Sequence, residues 1–252
     1  MPTPAVELDT DDGVAGVAVV RLNRPDRLNA VAPQLVDDLL AALDEIAASQ
    51  DTHAVVLTGA GRAFCAGHDL KEPAPEGDSR ARLERLQDVT RRLRGLRQPV
   101  IAAVHGYAIG AGAEFALGCD LVVAADDAVF AFPEAGLGLS VTGAASRLLP
   151  LLVGPLRAKE LMLLGERVDA ARAASLGLVN EVVPRPELHH RAIELATTLA
   201  AKPPRSVALA KRALDHGIDS ALDTVLELEV THALLTEHTP EVTRSEEEFR
   251  SR

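Results

Sequence analysis

The chain has 252 residues, 47% apolar and 25% charged, enough material for a sizeable buried core and ordinary for a globular protein. Its formal net charge of −11 excludes partners that require a broad basic face, nucleic acid and anionic membrane among them, but leaves room for an anionic small molecule on a local cationic patch. Aromatic residues are only 2% and tryptophan is absent, which removes base-stacking platforms.

The first residues, Met1 to Glu7, lack the basic and apolar regions of a signal peptide, so the expected compartment is the reducing cytoplasm, with Cys65 and Cys119 as buried small hydrophobes. Gly16–Leu22 reads as a strand, and Asn23–Ala30 as the loop that follows it. Apolar residues at 35, 36, 39, 40, 43, 46 and 47 predict an amphipathic helix from Pro33 to Ser49, opened by its proline. Ala54–Thr58 is a short buried strand ending in Gly59–Gly61, and Glu72–Ser79 is the candidate for a mobile loop.

Arg80–Arg97 reads as a charged helix, Pro99–Val104 as a strand, Gly110–Gly118 as a helix and Leu121–Ala125 as a further strand. Val100–Phe132 is apolar but broken by His105, Glu114, Asp120, Asp126 and Asp127, the pattern of a globular core and not of a membrane span. This alternation predicts an α/β architecture. After about Pro203 the strands stop, and Arg205–His216, Asp219–Glu237 and Pro240–Arg250 read as three helices. The middle one is apolar on more than one face, which predicts a second partner and hence packing between subunits.

Glu114 and Glu134 stand 20 residues apart in the most apolar and glycine-rich part of the chain. Carboxylates are seldom buried without a partner or a function, and a low-dielectric site raises their pKa towards values useful for proton transfer. The bland alternative is a helix cap or a strand end at the surface. Two glycine-rich turns accompany them, Gly67 before His68 and Gly110-Ala111-Gly112 at a helix start. Backbone amides at such turns lack internal partners, and two of them converging on a carbonyl oxygen make an oxyanion hole. No metal site is expected, because neither cysteine has a partner at ligand spacing and His189-His190 is an isolated pair.

Taken together, Asn23–Ala30, Leu57–Leu70, Gly106–Asp120 and Phe132–Gly138 resemble the enoyl-CoA hydratase/isomerase (crotonase) superfamily, as do Ala158–Leu161 and Ala174–Pro184 further on. The resemblance implies a spiral of ββα units, residues 1–198, as the acyl-CoA-binding core and a C-terminal helical trimerisation region, residues 199–252. It implies an acyl-CoA thioester whose oxygen is held by the amides of His68 and Ala111. Coenzyme A would lie against Ala66, His68, Asp69 and Leu70, with Arg24 or Arg27 towards its phosphates. Glu114 and Glu134 match the two hydratase carboxylates, so the expected reaction is syn addition of water to a trans-2-enoyl-CoA. The alternatives are another acyl-CoA reaction of the family, isomerisation or thioester hydrolysis, or a non-catalytic scaffold or RNA-binding member. No separate cofactor is implied, since coenzyme A belongs to the substrate, and the expected assembly is a homotrimer or a dimer of trimers.

Ile109, Leu137 and Leu139, with Phe115, are expected to line the acyl pocket or else to be core. The segment Leu139–Gly143 departs from the more Gly- and Pro-rich sequence of many hydratases. Its Ser140 and Thr142 hydroxyls are expected to meet a polar substituent or the attacking water, or to cap a helix beginning near Gly143. His68 contributes its amide, and its ring either spaces the site or touches the substrate. The tail Glu246–Arg252 stops early, and Arg250 or Arg252 are the candidates to replace a longer basic tail.

Overall fold

Strands that are apolar at nearly every position require cover on both faces, and the chain supplies it. The computed structural model describes residues 3–10, 14–69, 78–218, 220–236, 239–242 and 244. In chain order the strands are β1 (Val6–Asp9), β2 (Val17–Leu22), β3 (Ala54–Gly59), β4 (Val100–Val104), β5 (Tyr107–Ile109), β6 (Leu121–Ala125), β7 (Val129–Ala131), β8 (Val168–Asp169) and β9 (Glu181–Val183). The helices are α1 (Pro33–Ala48), α2 (Ser79–Gly95), α3 (Ala111–Gly118), α4 (Ala145–Val153), α5 (Pro155–Leu164), α6 (Ala170–Leu176), α7 (Leu188–Ala200), α8 (Pro204–Gly217) and α9 (Leu222–Thr236). Of the expected third C-terminal helix only 240–242 and 244 are described, and they are helical. Arg250 and Arg252 lie outside the described residues.

Six strands form one sheet in the order β1-β2-β3-β4-β6-β9, with β2 through β9 paired in parallel and β1 antiparallel to β2. Alternation along each strand divides the apolar residues between two cores. Ala18, Val20, Leu22, Val55 and Leu57 face the side covered by α1, α2 and α3, while Val17, Val19, Val56, Ile101 and Val123 face α7.

A second sheet, β5-β7-β8, has only two or three residues per strand. Isolated parallel bridges extend its stack, Val31 to His68 and Cys65 to Ala108, and β5 then pairs with β7. After β2, β3, β4 and β6 the chain thus leaves the large sheet and adds a short rung to the second stack. This is the crotonase spiral. Short rungs of this kind fall below the length at which period-two alternation can be read, so they were not expected individually.

The α2 helix ends at Gly95, earlier than Arg97, where Leu96 turns extended. Asp78 caps its start by accepting from Arg80 N and Ala81 N. Among the described residues no helix is long and apolar enough to cross a membrane.

Candidate active site

Glu114 sits in the first turn of α3 and is 1% exposed. Its Oε1 accepts the Thr142 backbone N–H at 2.8 Å and its Oε2 accepts the Thr142 hydroxyl at 3.3 Å. The unpaired amides at the start of α3 add a partial positive charge beside it.

Glu134 opens the 3-10 turn Glu134–Leu137 and is buried as well. Its Oε2 is buried with no hydrogen-bond partner among the described residues. Desolvation raises its pKa, its own backbone N–H partly opposes that rise, and the charge of Glu114 adds to it. The Glu134 carboxylate lies against the turn into α3: a Cβ on Gly110, where φ is +52°, would stand 2.7 Å from Oε1. Neither glutamate is a helix cap or a surface strand end.

The amide pair expected from the glycine-rich turns has a clear local basis. Val31 N donates to Gly67 O at 2.7 Å and Asp69 N donates to Val31 O at 3.0 Å. That parallel bridge uses the groups on either side of His68, so the His68 N–H points away from Val31. Gly67, at φ +84°, makes the turn, and a Cβ there would lie 2.7 Å from Ile109 O and 3.8 Å from Ala111 N. The two turns are therefore in contact, and Ala111 N belongs to the orphan amides of a helix start.

His68 is itself exposed. Crowding by the protein lowers its pKa, Glu114 opposes this and Arg82 of α2 reinforces it. The ring thus stands within electrostatic reach of the catalytic candidates and is kept neutral by its surroundings.

Asp69, expected beside coenzyme A, turns its carboxylate to two arginines. Its carboxylate is 4% exposed and receives Arg27 at 2.8 and 3.1 Å and Arg24 at 3.4 Å. Arg24 also donates to Ala30 O. Both arginines expected at the phosphates are engaged in this cluster, and the half-exposed Arg27 is the one that reaches the surface. Ala66 is half-buried in the same turn, and Leu70 lies outside the described residues.

Sequence reasoning assigned no task to Asn29, which is fully buried. Its amide donates to Ala60 O and Ala63 O, and its Oδ1 accepts from Arg24 N at 2.8 Å. This residue fastens the loop after β2 to the turn at Ala60–Ala63, directly after β3. An asparagine between Leu28 and Ala30 carried only a faint signal, its tolerance of left-handed backbone, which it uses here at φ +56°.

Around the glutamates, Ile109 is half-buried, and Leu137 and Leu139 are 54% and 50% exposed, so these three border open space. Phe115 is core, at 2%. Ser140 is exposed. The capping role considered for Ser140 and Thr142 is not what the structure shows. Helix α4 begins at Ala145 with Ala144, which has no side-chain acceptor, at its cap position, and the Thr142 hydroxyl donates to Glu114 instead.

Both cysteines are buried, and burial pushes the Cys65 thiol up to about 12, which leaves it inert as a nucleophile.

Comparison with known proteins agrees with this architecture. The family model "Enoyl-CoA hydratase/isomerase" matches residues 12–251. The short-chain-enoyl-CoA hydratase of Clostridium acetobutylicum is 38% identical over 216 residues, covering 84% of this chain and 83% of that protein. The 1,2-epoxyphenylacetyl-CoA isomerase of Escherichia coli is 39% identical over 222 residues, covering 85% and 84%. A crystal structure of an enoyl-CoA hydratase from Bacillus anthracis superposes with a TM-score of 0.93 at 35% identity, over 98% of this chain and 96% of that one. With a family match over almost the whole length, the same spiral, and relatives well above 30% identity, the chain belongs to the enoyl-CoA hydratase/isomerase family of the crotonase superfamily.

Proposed function

We propose that the protein is an enoyl-CoA hydratase, adding water to a trans-2-enoyl-CoA to give a 3-hydroxyacyl-CoA. The observation that carries this reading is the unequal wiring of two buried glutamates in one site. Glu114 receives two hydrogen bonds from Thr142, whereas Glu134 has a buried oxygen without a partner and a raised pKa. Two carboxyl groups driven apart in this way divide base and acid work.

In this mechanism the His68 and Ala111 amides hold the thioester oxygen, and the negative charge that grows there during addition is worth about 3–4 kcal/mol per donor. Glu114 takes a proton from the water as its oxygen bonds to Cβ. Glu134, protonated, delivers a proton to Cα, and the electron pair of the double bond becomes the new Cα–H bond. The sign of the pH dependence follows: activity falls at high pH as Glu134 loses its proton, and falls at low pH as Glu114 gains one.

Glu114→Gln and Glu134→Gln should each slow hydration of crotonyl-CoA by about 10²–10⁴-fold, with the thermal transition kept near that of the parent protein. Parent-like turnover in either variant would overturn the assignment. A second reading, double-bond isomerisation, is favoured by the likeness to a monofunctional enoyl CoA isomerase from M. smegmatis, 38% identical with a TM-score of 0.78. It requires Glu134 alone as base, so Glu114→Gln would be tolerated and simple enoyl-CoAs would give no hydration product.

The exposed leucines and valine of α9 support assembly into a homotrimer or a dimer of trimers. A division of the chain at 198/199, in the last turn of α7 and just before α8, fits the same reading.

A further inference from the structure

We propose that Thr142 is the positioning residue of Glu114, its side-chain hydroxyl donating to that carboxylate and holding it aimed. The inference rests on the hydratase reading for its kinetic consequences, but not for its geometry. One residue grips both oxygens of the carboxylate, N–H to Oε1 at 2.8 Å and hydroxyl to Oε2 at 3.3 Å. A backbone N–H is available from any residue other than proline, whereas the second bond requires serine or threonine at 142. Two donors on different oxygens fix both the position and the rotation of the carboxyl plane. Each oxygen keeps a further lone pair with which to receive a proton from water.

The grip is braced from behind. A Cβ on Gly143 would stand 2.7 Å from Glu114 Cβ and 3.0 Å from Oε2, so the loop after Thr142 lies directly on the glutamate. Gly143 O in turn accepts the Thr90 hydroxyl at 3.2 Å, a bond buried between α2 and this loop. Thr90, Gly143, Thr142 and Glu114 thus form one continuous chain of contacts from the middle of α2 to the first turn of α3. No comparable brace reaches Glu134, whose Oε2 is left without a partner among the described residues. The hydroxyl of Thr142 thus adds a side-chain donor to Glu114 that Glu134 lacks among the described residues, and it lies in the segment where this chain departs from the Gly- and Pro-rich pattern.

The charged and titratable groups that act on this position are Glu134 across the site and His68 on the neighbouring turn, with Arg82 of α2 behind His68. Replacing Thr142 leaves all three in place. Any change in pH response then belongs to the lost hydroxyl.

The test compares Thr142→Val, which keeps shape and backbone N–H, with Thr142→Ser, which keeps the hydroxyl. For crotonyl-CoA hydration, kcat should fall about 10–100-fold in Thr142→Val, the usual scale for a lost hydrogen bond to a charged group. KM should stay within about twofold, because the variant leaves the amides that bind the thioester intact. The acidic limb of the kcat/KM profile should move to higher pH, since a donor that favoured the ionised form has been removed. Thr142→Ser should restore both rate and limb. Should the valine variant misfold, Thr142→Ala carries the same expectation.

An unmoved acidic limb, or a rate loss that serine does not restore, overturns the proposal. The hydratase reading fails separately, if the parent enzyme binds butyryl-CoA yet does not hydrate crotonyl-CoA. The grip is then judged by carbon-13 resonance of the glutamate carboxyls, with the Glu114 signal assigned by its loss in Glu114→Gln. That signal should titrate at a higher pH in Thr142→Val than in the parent protein, and titration at the same pH overturns the proposal.

Discussion

Helices α7 and α9 carry the same apolar spacing and meet opposite fates. On α7, Leu188, Ala192 and Ala196 recur every fourth residue and are 4%, 0% and 0% exposed against the large sheet. On α9, Leu226, Val230 and Leu234 recur at the same interval and are 50%, 54% and 66% exposed. A four-residue spacing says that a helix has an apolar face, and nothing about which surface covers it. Within one chain α7 finds the strands it was patterned for, whereas α9 packs mainly on α8.

Helix α8 lies between these extremes. Its one buried residue is Lys211, whose ammonium donates to Leu93 O, Gln98 O and Asp120 Oδ2 at 3.0, 3.2 and 2.7 Å. Arg94 on α2 reaches Asp215 at 2.5 Å. Polar bonds at specific points fasten this helix to the body, and apolar area contributes little. The difference teaches where burial is complete: the glutamates belong to the closed body, whereas α9 leaves its apolar face exposed.

The contrast is most severely tested by placing a charge on each apolar face. Ala192→Glu puts a carboxylate into a fully buried helix–sheet contact with no partner, a change that costs more than about 4 kcal/mol. It should abolish the cooperative thermal transition of the chain, and a melt close to the parent's would break the comparison. Val230→Glu combined with Leu234→Glu should instead leave that chain's secondary structure and its melting transition largely intact. Its effect should appear as a fall in mass by light scattering, each residue withdrawing roughly 1.5–3 kcal/mol of apolar burial from the assembly. Unchanged mass would mean that α9 faces solvent.

The smallest effect sharpens the picture next to the site. Ala144 precedes α4 in a left-handed conformation, φ +68°, which strains a residue with a Cβ. Ala144→Gly should relieve that strain and raise stability by up to about 1 kcal/mol, read as a rise of a few degrees or less in melting temperature. Neither assembly nor the Thr142 bonds to Glu114 should change. A lower melting temperature would show that the alanine methyl contributes more by packing than it costs by strain.

How much was legible in advance depended on the range of the interaction. The strands β2, β3, β4 and β6 and the helices α1, α2, α3 and α8 were readable within a few residues, because apolar periodicity and breakers are local signals. Glu114 and Glu134 stood out for the same reason, as acids among glycines and alanines. The pairing of Asp69 with Arg24 and Arg27 was not legible, because those partners lie more than 40 residues back in the chain. Thr142 was expected at the substrate or at a helix start, and only the fold shows it bound to a glutamate 28 residues earlier. The rungs β5 and β7 escaped notice because three residues carry no period.

By itself the amino-acid order determined which residues could carry proton chemistry, which turns could present bare amides, and which helices had apolar faces. Those properties belong to side-chain type and near-neighbour spacing. The tertiary structure decided the rest: that Glu114 is gripped and Glu134 is not, that two arginines serve Asp69, and that α7 is covered while α9 is open. Each of these is a contact between distant parts of the chain. Burial, dielectric and hydrogen-bond supply are set by whatever folds against a residue, and identical side chains acquire different chemistry from different neighbours.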